Sequence, residues 1–170
     1  LKYEQQDLPT IALGTKENTL YNLTAAYNMI ASKGQSIPAT TILSIENSEG
    51  EVIYEYEQPK NKQVISEEDA FLLTDMMTGM FDATLSDYSP ATGLSIRPKM
   101  THTYAGKSGT TNTDQWMIGY TPTLTAGVWN GYDQGKTLTT QTDLAATKRI
   151  WIDFMESVLA GTKKQTFEVP

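Results

Sequence analysis

The chain has 170 residues, a formal net charge of −7 and no cysteine. One domain or one large subdomain is expected at that length, and a hydrophobic fraction of 39% is enough to build a core. The acidic balance, with no basic cluster against it, excludes a nucleic-acid partner, and the missing cysteines exclude a disulfide frame or a thiolate metal site.

Residues 10–14 read as a loop. Thr19 opens a helix with Leu20, Leu23, Tyr27, Ile30 and Ala31 on one face, and Gly34 stops it. Residues 40–45 and 51–56 are strand-like, and Asn47-Ser48-Glu49-Gly50 between them predicts a hairpin. Ser66 caps a second helix, and Glu67, Glu68 and Asp69 favour its positive dipole end. Its expected buried face is Ala70, Leu73, Met76, Met77 and Met80. Residues 86–99, with Pro90, Gly93 and Pro98, read as a loop. Three strands are expected over 101–108, 115–121 and 124–132, and their short links make them antiparallel neighbours. Thr142 is the expected cap of a last helix, with a broad apolar stripe of Leu144, Ala145, Trp151, Phe154, Met155, Val158 and Leu159. Gly161 ends that helix, and residues 163–170 are expected to be an irregular tail. No run of roughly 18 apolar residues is present, so no transmembrane helix is expected within the segment.

Chemistry concentrates in Tyr104-Ala105-Gly106-Lys107-Ser108-Gly109-Thr110-Thr111-Asn112. One lysine, several hydroxyls and two glycines stand before two strand-like runs. Such a set suits gripping a carboxylate and an extended backbone beside a reacting carbonyl. Gly106-Lys107-Ser108 also matches the end of a phosphate loop, G-x-x-x-x-G-K-S/T. The first glycine of that pattern falls on Thr101, and turn and strand residues follow where a helix is required. The nucleotide reading therefore fails. Ser108 and Thr110 lie two apart, so on a strand both hydroxyls face one side and can donate to one carboxylate. Gly109 lets another backbone approach closely.

The lysine box resembles the K-S/T-G box of penicillin-recognising serine transpeptidases and β-lactamases. The run continues through Asp114-Gln115-Trp116 and Gly119-Tyr120-Thr121-Pro122 to Ala126-Gly127-Val128-Trp129-Asn130-Gly131-Tyr132-Asp133. In this it resembles the class A, bifunctional penicillin-binding proteins. Ala12-Leu13-Gly14, Leu23-Thr24-Ala25-Ala26-Tyr27 and Gly34 are similar to the same family's stretch after its second motif. The resemblance covers nearly the whole chain. It implies an α+β fold, an antiparallel sheet covered by helices in the penicillin-binding/β-lactamase-like manner, lacking its N-terminal part. Residues 1–162 would be the C-terminal part of the transpeptidase domain. Lys107 would hold the serine network and attract the substrate carboxylate. Ser108, Gly109, Thr110 and Thr111 would bind substrate, and the Thr110 N–H would be a second oxyanion donor. No cofactor or metal is implied. Peptidoglycan stem peptides and β-lactams would be the partners, at the extracytoplasmic face of a bacterial membrane. An anchoring helix and a glycosyltransferase domain would lie outside this chain.

One departure matters. The family needs an S-x-x-K box and an S-x-N box, and no serine of this chain has Lys three residues on or Asn two residues on. The expectation is that a separate N-terminal fragment of the same domain supplies the nucleophile, the domain having been cut by proteolysis or processing. A β-lactam sensor domain and a carboxypeptidase or β-lactamase-type hydrolase share the box and stay open at this point. Other residues have plainer readings. His102 is a solvated or satisfied strand residue, Glu67, Glu68 and Asp69 cap a helix, Asp133 is a turn residue, and Trp116 and Trp129 are core.

Overall fold

The computed structural model describes residues 10, 13–14 and 16–170. The loop expected over 10–14 is only partly covered, since Ile11 and Ala12 lie outside the described residues. Helix α1 spans Leu20–Ala31, and the Thr19 hydroxyl accepts from the Asn22 N–H at 3.1 Å. Lys33 and Gly34 then adopt positive φ and end it. At Gly34 a Cβ would fall 2.3 Å from the Ile65 carbonyl oxygen, so only glycine fits where the chain turns back.

Strand β1 (Gln35–Ser36) pairs antiparallel with β4 (Lys62–Gln63). Strands β2 (Ser44–Glu46) and β3 (Val52–Glu55) form the expected hairpin. Asn47 ties its turn, its Oδ1 accepting from the N–H groups of Glu49 and Glu51 at 2.9 Å each. Helix α2 spans Glu67–Thr78 with Ser66 as its cap. A 3-10 turn over Gly79–Phe81 carries Met80 and Phe81 into the core. Residues 86–96 form the expected loop, and a 3-10 turn over Arg97–Lys99 follows it.

Strands β5 (Ala105–Thr110), β6 (Asp114–Tyr120) and β7 (Thr125–Gly131) make an antiparallel sheet in the order β5-β6-β7. Helix α3, Gln141–Leu159, covers one face: a Cβ on Gly119 would fall 2.5 Å from the Trp151 ring. Helices α1 and α2 cover the other. A Cβ on Gly127 would strike Thr24 and Leu20 of α1, and Tyr120 meets Thr74 of α2 hydroxyl to hydroxyl at 2.8 Å. The fold is thus α+β, an open antiparallel sheet between helices, as expected. Its core joins Trp151, Ile152, Met155 and Leu159 of α3 to Phe81, Ile96, Tyr104 and Met117. Phe81 stacks on Trp151 at 6.3 Å, and Tyr104 meets it edge-on at 5.3 Å.

Three expectations need correction. The buried residues of α2 itself are Ala70 and Thr74, while Leu73 and Met76 are 38% and 76% exposed. Thr74 is tolerated inside because its hydroxyl bonds the Ala70 carbonyl and the Tyr120 phenol. The cap of α3 is Thr140, whose hydroxyl accepts from the Asp143 N–H at 3.0 Å, and not Thr142. The buried stripe of α3 is also narrower than expected, since Phe154 and Val158 are each 49% exposed.

The tail over 163–170 has no regular secondary structure but lies on the molecule. Phe167 meets Tyr120 edge-on at 5.7 Å, and Glu168 joins Glu67 on the Lys33 ammonium.

Candidate functional site

Strand β5 begins at Ala105 and runs on to Thr110, later at both ends than the sequence predicts. Lys107, Ser108, Gly109 and Thr110 therefore all lie within it, at the edge of the sheet, and Thr111 starts the turn into β6. No helix follows, which removes the phosphate-loop geometry.

The register fixes what this edge presents. Ser108 pairs with Met117 and Thr110 with Gln115, while the Thr111 N–H donates to the Asp114 carbonyl at 3.0 Å. Antiparallel ladders alternate hydrogen-bonded and non-bonded pairs. Ser108 and Thr110 are the non-bonded members, so their N–H and C=O groups turn outward. Lys107 confirms the direction: its Nζ donates to the Ser108 carbonyl oxygen at 2.6 Å. Side chains alternate as well. Gly106 faces Gly119 across the ladder on the α3 side, so Ser108 and Thr110 share that side, while Lys107 and Gly109 point to the α1–α2 side. The lysine and the hydroxyls approach one edge from opposite faces.

Both glycines of the box pack closely against β6. A Cβ on Gly106 would lie 3.1 Å from both the Ile118 carbonyl oxygen and the Met117 methyl, so Gly106 serves packing. A Cβ on Gly109 would lie 3.3 Å from Trp116, so this position is also tight against β6.

A carboxylate underpins the turn beside the site. Asp114 accepts from the Thr111 hydroxyl at 2.5 Å, the Trp116 indole at 3.1 Å and the Trp129 indole at 3.2 Å. Partial burial pushes the Asp114 carboxyl up, but those three donors outweigh it and hold its pKa below the ordinary 3.8. Trp116 and Trp129 meet edge-on at 6.4 Å; expected in the core, they are only half-buried, because both indoles reach out to the Asp114 carboxylate.

Before β5, Glu156 of α3 accepts from the Thr101 N–H and hydroxyl and from the Tyr104 hydroxyl, the last at 2.6 Å. Burial raises the Tyr104 phenol's pKa, and the Glu156 carboxylate adds to the rise. His102 precedes the strand, and hydroxyls of Thr101 and Thr162 lie within hydrogen-bond distance of its two ring nitrogens. Those hydroxyls satisfy the ring, which also meets Tyr104 edge-on at 6.4 Å.

Two residues that the sequence did not single out also reach this edge. The Ser108 hydroxyl donates to the Thr92 hydroxyl at 3.0 Å, and Lys148 of α3 donates to the Thr92 carbonyl oxygen at 2.6 Å. Their distance in sequence from the lysine box left no local signal. Asp133 is exposed in the turn after β7, and the acids at the start of α2 flank a helix terminus. Among the described residues no group of three His, Cys, Asp or Glu is placed to hold a metal ion, and no helix is long and apolar enough to cross a membrane.

The edge brings together one ammonium, two hydroxyls and outward backbone groups, and no serine of the sequence has lysine three residues on. Against known proteins, residues 3–156 match the family described as penicillin-binding protein transpeptidase domain. The chain is 44% identical to penicillin-binding protein 2D of Bacillus subtilis over 97% of its own length, which is 24% of that protein. It is 32% identical to penicillin-binding protein 1A of Aquifex aeolicus over 95% of its length, 21% of the relative. The chain thus spans about a quarter of the curated relatives it matches. Among solved structures, penicillin-binding protein PonA1 from Mycobacterium tuberculosis superposes with TM-score 0.75 at 26% identity, covering 94% of this chain and 43% of that one. Penicillin-binding protein 1A from Haemophilus influenzae superposes with TM-score 0.81 at 19% identity, covering 95% and 29%, and so shares the fold. With residues 3–156 of the chain matching the family and the fold shared with its solved members, the chain belongs to the penicillin-binding protein transpeptidase domain family.

Proposed function

We propose that this chain forms the lysine-box wall of a serine D,D-transpeptidase of class A, the bifunctional penicillin-binding proteins. The carrying observation is the open edge of β5, where Ser108 and Thr110 present outward backbone groups beside Lys107. An extended peptide adds to such an edge as a further strand. Its terminal D-alanine carboxylate would meet the Ser108 and Thr110 hydroxyls, with Thr111 at the end of the groove. The Thr110 N–H would donate to the carbonyl oxygen as it becomes an oxyanion, a contact whose loss costs about 3–4 kcal/mol in the transition state.

The nucleophilic serine and its lysine partner would come from a segment of the same domain outside these 170 residues. That serine attacks the penultimate D-alanine carbonyl and expels the terminal D-alanine. An amine of a second stem peptide then takes the acyl group and restores the serine. A β-lactam acylates the same serine and stays. Lys107, on the face opposite the hydroxyls, supplies positive charge to the serine network and the incoming carboxylate. Its field acts more strongly where substrate displaces water. The parent would also be a peptidoglycan glycosyltransferase anchored at the extracytoplasmic membrane face, as the class A reading requires.

Lys107→Ala in the complete transpeptidase tests this reading. Acylation by a fluorescent penicillin should slow at least a hundredfold, about 3 kcal/mol of barrier, while the melting temperature holds. An unchanged acylation rate in a folded variant would make Lys107 a bystander and remove the assignment.

A further inference from the structure

The loop over 86–96 is not obviously part of the lysine box, yet it is fastened to it from two directions. Ser108 Oγ donates to Thr92 Oγ1 at 3.0 Å. A hydroxyl has one hydrogen and two lone pairs. Thr92 Oγ1 uses a lone pair here, so its own hydrogen is free, and Thr92 is exposed. Lys148 Nζ fixes the loop from α3 by donating to the Thr92 carbonyl oxygen at 2.6 Å.

We propose that Thr92 and Lys148 complete the carboxylate site at the β5 edge. Thr92 is a contact hydroxyl that donates to the substrate carboxylate, and Lys148 is the positioning residue that holds it there. The inference rests on the transpeptidase reading above and adds two residues to it. The one Ser108 hydrogen is spent on Thr92, so in this arrangement Ser108 serves the carboxylate through Thr92, whose own O–H makes the contact and is polarised toward donating by accepting from Ser108. Lys148 also brings a second ammonium to the edge. Burial first, and the nearby Lys107 ammonium second, lower its pKa. An arriving carboxylate relieves that repulsion.

The test compares a penicillin bearing its free carboxylate with the methyl ester of the same penicillin, in the complete transpeptidase. Thr92→Val removes the hydroxyl and keeps the shape. It should slow acylation by the free acid about tenfold or more, the size of one hydrogen bond to a charged group, and leave the ester rate nearly unchanged. Thr92→Ser should restore the free-acid rate. Lys148→Met should show the same selective loss. Equal losses with acid and ester would make Thr92 and Lys148 structural braces and overturn the proposal, as would unchanged rates for both. A wild-type protein that neither compound acylates would overturn the transpeptidase reading itself.

Discussion

Asp114 shows how one side chain sets the geometry of the site's end. Its carboxylate gathers the Thr111 hydroxyl, the Trp116 indole of its own strand and the Trp129 indole of β7, so the turn after Thr110 is tied to both strands through one side chain. Asp114→Asn keeps the volume but turns an amide donor toward groups that are themselves donors. That change should cost about 1–3 kcal/mol in chemical denaturation. Acid should act in the same direction. Asp114 and Glu156 both have folded pKa values below their ordinary 3.8 and 4.5, despite burial pushing each up. Their stabilisation is complete above those ordinary values and is lost as the pH falls through the depressed folded ones. Thermal melts should therefore be flat from neutral pH to about pH 5 and fall below pH 4, and Asp114→Asn should flatten the fall. A wild-type melt that rises on acidification would contradict these hydrogen bonds. The lysine box was legible in the sequence because its residues are neighbours. Thr92 and Lys148 were not, because loop and helix meet β5 only through the tertiary fold.

The elements divide in a similar way. Helix α1, the β2–β3 hairpin and the order β5-β6-β7 follow from local signals: caps at Thr19 and Ser66, the Asn47–Gly50 turn, and short links between apolar strands. The inward face of α2 did not follow, because Thr74 is buried by a partner 46 residues away. The two-residue strands β1 and β4 carry no period at all. Strand β7 raises an element-scale question. The Thr121 N–H bonds the Leu124 carbonyl, and alternation from there gives Ala126, Val128 and Asn130 to β6. Thr125, Gly127 and Trp129 thus face an edge with no neighbouring strand among the described residues. An apolar groove of about 670 Å³ runs beside it, lined in part by Leu20, Val128, Ile150 and Phe154. Such an edge invites another strand. Amide exchange at Gly127 and Trp129 should be fast in this chain alone and slow once the serine-bearing segment is present. Slow exchange in the isolated chain would mean the edge is already covered.

At the scale of the whole molecule, the proposed reading makes the chain one wall of a catalytic site. It has a core around Trp151, a sheet between helices, and an outer strand β5 that carries the lysine box. It lacks a serine with the spacing its family uses for attack. The account therefore predicts where the covalent bond must form. The complete transpeptidase should be labelled with a fluorescent penicillin, digested, and the modified peptide identified by mass spectrometry. The label should sit on a serine outside these 170 residues, followed by lysine three positions on, with none on Ser108 or any other serine of this chain. A penicilloyl group on a serine within the chain would contradict the account.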